Sequence, residues 1–205
     1  MSKKGGIVSP KAQDGANRGG DGAGDKNKKN PLNPAVERAF AELKEGMSDT
    51  QKAYAFQKVA KQLMESMNFE DAAAVLSHAI DAQHVAIFFT QRATCYRMLH
   101  KWSEAYFDYS FATRMEPQTA SHYIQRGLVL VKLFKYDMAI EDLTTAVELD
   151  YSTNSSSSYY NRGIIYTEMD KHEEALADFG AALAKDASQA MPNQTFQAKV
   201  LNQRA

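Results

Sequence analysis

Cysteine is nearly absent from this 205-residue chain. Cys95 stands alone, so no intramolecular disulfide can form and a reducing, cytoplasmic setting fits. The thiol has no argued base nearby and reads as a small packed residue. No stretch approaches the roughly 20 apolar residues that a membrane-spanning helix needs. The start, Met1-Ser2-Lys3-Lys4, is basic without an apolar core behind it, so we expect no secretory signal there. Ser2 occupies the place where myristoylation needs glycine, and Asn202-Gln203-Arg204-Ala205 carries no prenylation pattern. Metal ligands are missing too: His78, His84, His100, His122 and His172 never fall at ligand spacing with another ligand type. No Gly-rich phosphate loop is present, and clusters such as Glu141-Asp142 and Glu173-Glu174 read as solvated helix faces. From these absences we expect no enzymatic activity, no cofactor and no metal.

Glycine is scarce except at the start, where residues 1–31 hold seven of the eleven. The same segment has seven Lys/Arg against three Asp, a balance of +4, which leaves −5 for the other residues of a chain with net charge −1. A segment so poor in apolar surface cannot offset the entropy of ordering it, and we expect a disordered basic tail. Such a tail solubilises, or touches an acidic surface such as tubulin. Ser9-Pro10-Lys11 fits a proline-directed phosphorylation site.

The rest of the chain repeats itself. Ala72, Ala105, Ala139 and Ala175 recur at intervals of 33, 34 and 36, each followed seven residues later by Ala79, Ala112, Ala146 and Ala182. Between the alanines stand Leu76, Tyr109, Leu143 and Phe179, and three residues before each pair stand the rings of Phe69, Trp102, Tyr136 and His172. Upstream, Phe56, Phe89, Tyr123 and Tyr159 keep the phase, then Ala60, Ala93, Gly127 and Gly163, then Leu63, Tyr96, Leu130 and Tyr166. Each trio falls at i, i+4 and i+7, one stripe on a helix. The short gap between trios permits only an antiparallel hairpin, and the small residues let its axes approach to about 8–10 Å. We expect helix pairs at 50–66/69–82, 86–99/102–115, 120–133/136–149 and 157–169/172–185. A single hairpin cannot bury its own faces, but hairpins stacked in a row can.

This order of large, small, large and then ring, Ala, large, Ala resembles the tetratricopeptide repeat over residues 53–186. Pro117 matches the family's terminal proline, where the other units have His84, Tyr151 and Ala187. The resemblance implies an all-α, right-handed α-solenoid of four hairpins spanning 48–187. Ser152 to Ser158 lengthens one interval and reads as a polar turn capping the next helix, or as a phosphorylation cluster.

The ends have their own signals. Ser48-Asp49-Thr50-Gln51 reads as a capping box. Within 32–47, Asn33 and Pro34 open a short helix with Val36, Phe40 and Leu43 as its stripe and Gly46 as its stop. That helix covers the first repeat or lies in the groove of the array as an internal ligand. In 188–205, Pro192 and Asn193 open a capping helix carrying Phe196, Val200 and Leu201.

A charge pair repeats as well. Arg92, Arg126 and Arg162 are each followed sixteen residues later by Asp108, Asp142 and Asp178, whereas the first unit has Val59 and Val75 at both places. Two residue types that change together predict contact across each hairpin, in a structural ion pair.

In the family, the first helix of each pair lines a concave groove. The resemblance therefore places Tyr54, Gln57, Lys61, Thr90, Thr94, Arg97, Ile124, Leu128, Lys132, Tyr160, Ile164 and Thr167 there, polar and basic first, then apolar. A helix or extended peptide fits such a groove. The family's carboxylate clamp needs cations and asparagines on three successive first helices. Its places here read Gln57, Lys61, Gln91, Ser121 and Gln125, or one repeat on, Thr90, Thr94, Gln125, Ser157 and Asn161, which disfavours that ligand. The expected role is a non-enzymatic scaffold or adaptor for a protein or peptide partner, in the cytoplasm and as a subunit of a cytoskeletal or ciliary assembly. The alternative is a chaperone-like client binder without the clamp. The acidic repeat body argues against nucleic acid.

Overall fold

The computed structural model describes residues 34–149 and 155–187, and in this range the chain is all α-helical. The helices are α1 (Pro34–Ala41), α2 (Asp49–Glu65), α3 (Phe69–Ala82), α4 (Ala86–Met98), α5 (Trp102–Met115), α6 (Ala120–Lys132), α7 (Tyr136–Leu149), α8 (Ser155–Glu168) and α9 (His172–Ala187). Four hairpins form, α2/α3, α4/α5, α6/α7 and α8/α9, and each second helix packs on the first helix of the next hairpin. The architecture is a solenoid whose core runs along the row rather than gathering at one centre.

The core is built from the residues that recur. Ala60, Ala72, Ala79, Ala93, Ala105, Ala112, Ala139, Ala146 and Ala182 are fully buried, and Tyr109, Leu76, Leu143 and Phe179 fill the space between them. At Gly163 the fit leaves no room for even a methyl group, since a Cβ there would sit 2.7 Å from Cε1 of Phe179.

The turn inside every hairpin has one form. Met67, His100, Phe134 and Asp170 take left-handed backbone, with φ between 57° and 62°. The next amide reaches back five residues, Asn68 to the carbonyl of Leu63, Lys101 to Tyr96, Lys135 to Leu130 and Lys171 to Tyr166, at 2.8–2.9 Å. This closes each first helix in a Schellman motif at a position that glycine would occupy with least strain.

The N-terminal end of the described array differs from its interior. Ser48 and Gln51 exchange the two hydrogen bonds of a capping box at the start of α2. α1 rests on the first hairpin, with the Phe40 ring edge-on to Phe56 and to His78 at 5.1 Å each. Its Ala35 and Arg38 share a cleft with Val59, Gln62 and Leu63, so α1 covers the outer end of the array and is not a ligand in the groove. Leu43 packs on the same core from beyond the helix end. The tail of residues 1–31, Asn33 and the capping helix expected in 188–205 lie outside the described residues. Of the serine run, residues 152–154 lie outside the described residues, and α8 opens at Ser155, two residues before the expected start at 157, with Ser156 and Ser158 buried. Serine tolerates a helix's first turn, and the interior of the array supplies the burial that a polar loop would lack.

Two glycines make opposite predictions. Gly163→Ala should lower the thermal midpoint, because overpacking against a buried ring costs about 1–3 kcal/mol and exceeds the helix-propensity gain. Gly180→Ala meets nothing within 4 Å and should raise stability by about 0.5–1 kcal/mol. Circular-dichroism melts of the two variants check both signs.

Candidate functional site

The arginine on the first helix of each later hairpin reaches in two directions. Arg92 Nε and Nη2 donate to the two carboxylate oxygens of Asp108 at 2.8 Å each. Arg126 holds Asp142 at 2.7 and 2.6 Å, and Arg162 holds Asp178 at 2.7 and 2.8 Å, in the same fork. The third nitrogen, Nη1, donates to a hydroxyl on the preceding hairpin's second helix: Ser77, Thr113 and Thr144, at 2.8–2.9 Å. One guanidinium thus joins three helices and fixes both the hairpin and its neighbour.

Rings complete the cage, with Phe89 and Tyr96 flanking Arg92, Tyr123 beside Arg126, and Tyr159 and Tyr166 beside Arg162, at 5.5–5.9 Å. The aspartates are buried and the arginines mostly so. The carboxylate hydrogen bonds raise each arginine's pKa above its ordinary value, outweighing the burial that acts to lower it. The first hairpin replaces the whole device with apolar contact, Val59 and Val75 both being buried.

The groove positions split by role. Gln57 donates to Gln91 at 3.0 Å, linking α2 to α4. Arg97 donates to Gln125 at 2.8 Å, linking α4 to α6. Thr94 turns inward, 3.1 Å from the Tyr109 hydroxyl, and Thr90 and Thr167 bond back to Ile87 and Gly163 on their own helices. Tyr160 packs on the Phe179 ring at 6.0 Å rather than standing free. Tyr54 is half exposed and leans on Phe88, and Lys61 is exposed.

Concavities follow the first helices, among them three along α4, α6 and α8. One is lined by Ile87, Thr90, Gln91, Thr94, Tyr109, Ser121, His122 and Gln125. A second holds Ile124 with Gln118, Ser121, Gln125, Leu149 and Ser157. The third, about 330 Å³, lies among α4, α6 and α8, with Leu128, Val131, Ile164, Ile165 and Trp102 as its walls. Arg97, Lys132 and Asn161 also line it. Ile124 therefore does not join Leu128 and Ile164, because it lies one turn earlier on α6 and opens into the adjoining concavity. Val131 and Ile165 escaped the sequence reading, and Asn161 entered it only as a clamp place. Trp102 was legible only as a packing ring, yet it closes the pocket from the start of α5.

Among the described residues no group of three His, Cys, Asp or Glu side chains could hold a metal ion. No described helix is long and apolar enough to cross a membrane. Cys95 is fully buried, and burial pushes its thiol up to about 11.

A family profile described as tetratricopeptide repeat matches residues 120–153 and 156–187. No curated protein matches the chain. Among solved structures, the chain is similar to MamA at 21% identity and a TM-score of 0.64, over 67% of this chain and 80% of that one. It is similar to the first tetratricopeptide domain of Spaghetti (RPAP3), bound there to an HSP90 peptide, at 22% identity and a TM-score of 0.55, over 60% and 98%. The Arabidopsis OM64 tetratricopeptide domain is similar at 17% identity and a TM-score of 0.52, over 61% and 99%. At these identities the likeness concerns the fold.

Two measurements check the interior chemistry. Arg126→Ala strands a buried aspartate and should cost about 3–5 kcal/mol in urea titrations, whereas Arg126→Val with Asp142→Val should cost far less, as the first hairpin's own valines suggest. Equal losses would refute a pair that must be kept or replaced whole. Cys95 should react with a thiol reagent about 100-fold more slowly in the folded protein at neutral pH than after denaturation. Rapid native labelling would contradict its burial.

Proposed function

We propose that this chain is a tetratricopeptide-repeat scaffold or adaptor that holds a segment of a partner protein in the concave groove. Repeats of this kind are protein-interaction modules. The observation that carries the finer reading is the apolar pocket among α4, α6 and α8, with Arg97 and Lys132 in its lining. An apolar side chain seated between Leu128 and Ile164 loses water on several sides, worth about 1.5–3 kcal/mol. An acidic neighbour on the same segment meets two cations. Among the described residues neither cation is paired with a carboxylate: Arg97 bonds the neutral amide of Gln125, and Lys132 is exposed.

Gln57, Gln91, Gln125 and Asn161, on four successive first helices, carry amides with hydrogen-bonding capacity beyond the Gln57–Gln91 and Arg97–Gln125 bonds, which a partner's main chain can use. This suits an extended peptide as much as a helix. Apart from Lys61, the places of the carboxylate clamp hold amides and hydroxyls, so a free terminal carboxylate is not the ligand we favour. A cytoplasmic site of action, and membership of a cytoskeletal or ciliary assembly, form part of the same proposal and rest on the lone cysteine and the basic tail.

Affinity capture with the wild-type chain beside Leu128→Glu/Ile164→Glu tests the groove. The variant should melt within a few degrees of wild type, both positions lining an open pocket, and should lose at least one stable partner. A partner set that survives the double substitution in a folded protein removes the groove from the explanation.

A further inference from the structure

The second helices carry their own outward seams, and one of them is unlike the rest. On α5, Glu104, Phe107, Phe111 and Arg114 follow one another at intervals of three, four and three, the spacing of a coiled-coil seam. All four are exposed, Phe107 at 62% and Phe111 at 44%. The repeat does not demand aromatic residues there. At the same places α3 has Ala74 and His78, α7 has Glu141 and Thr145, and α9 has Ala177 and Ala181. Two phenylalanines left in water on a single helix therefore point to something that covers them.

The ends of the seam say what. Glu104 precedes the phenylalanines and Arg114 follows them at equal separation, so the sequence is charge-complementary to itself read backwards. We propose that two copies of this chain associate through α5 against α5, antiparallel, with Phe107 of one copy on Phe111 of the other. In that register Glu104 faces Arg114 of the second copy, twice, as a two-fold interface requires. A parallel pairing would set like charges against each other. The corresponding ends of α3, Asp71 and Asp81, are both acidic and would repel in an antiparallel pair.

Phe111 is also held ready. It stacks on Phe89 with centroids 5.3 Å apart, and the Arg114 guanidinium lies 4.5 Å from its centre. That arrangement lowers the entropy lost on docking. A single helix pair buries less than the roughly 1,200 Å² of ordinary stable complexes, so the dimer is a weak, reversible one.

Sedimentation velocity of the full chain over about two decades of concentration in the micromolar range tests this. Wild type should show a rising average mass. Glu104→Arg and Arg114→Glu should each weaken association at least about tenfold, because each sets two like-charge contacts in the interface. The combined Glu104→Arg/Arg114→Glu chain should recover it. Both substituted positions are exposed, and a thermal melt verifies folding. A chain monomeric throughout, association indifferent to the single substitutions, or singles that weaken it without recovery in the double would each overturn the proposed pairing. The groove variant Leu128→Glu/Ile164→Glu should leave this association unchanged, which separates the seam from the groove.

Discussion

The distance between helix axes is the constraint on which the rest of this structure depends. It is set where one helix presents Ala or Gly to a large side chain of its neighbour, as Gly163 does to Phe179 and Gly127 to Leu143. At that separation a guanidinium on one first helix can fork onto a carboxylate of its own hairpin and still touch a hydroxyl of the previous one. A larger separation would leave the arginine bridged by water, and a smaller one would exclude it. Packing thus comes first, and the polar device is cut to the space that packing leaves.

The polar device in turn does something that packing alone does not. Alanine surfaces are nearly featureless and tolerate sliding by a turn, whereas a bidentate pair with a third hydrogen bond admits a single register. Repeats two, three and four carry it, and the first hairpin, which has α1 in place of a preceding repeat, carries two valines instead. The distribution matches the need: register must be fixed only where hairpin meets hairpin. Buried ion pairs seldom add net stability over apolar residues of similar size, so specificity of stacking is the better account of why three are kept.

Much of this was written in the chain order, and the reasons for the remainder are physical. Phase and residue size carried the four hairpins, because a solenoid converts sequence period directly into spatial period. The Arg–Asp pairs were legible because both members lie in one repeat, always sixteen residues apart. Their hydroxyl partners were not, since Ser77, Thr113 and Thr144 stand on another hairpin at separations of 15, 13 and 18. Thr113 even comes from a different turn of its helix than the other two. The hairpin turns hid for another reason: the left-handed residue is never glycine here, so Met67, His100, Phe134 and Asp170 give no local sign of their conformation. Ser155 and Ser156 misled in the opposite direction, as part of a polar run whose composition suggests a turn but whose place at the mouth of α8 makes them helix. The pocket was half visible. Leu128, Ile164, Arg97 and Lys132 follow from the family's geometry, while Trp102 enters from a second helix that periodicity assigns to the core.

Individuality in such a molecule must reside where the repeat is broken, because positions that recur are already committed to holding neighbours together. Two places break it strongly. On the first helices, Leu128 and Ile164 stand where the first two hairpins have Lys61 and Thr94, and they turn one stretch of a polar groove apolar. On the second helices, Phe107 and Phe111 replace the small or polar residues of α3, α7 and α9. Each change leaves apolar surface in water at a cost that folding does not recover. The two departures lie on helices of different rank, one on α6 and α8 and the other on α5, so a ligand in the groove need not displace whatever covers the seam. An array of this length has no room to separate such surfaces by distance, and the alternation of first and second helices separates them by direction.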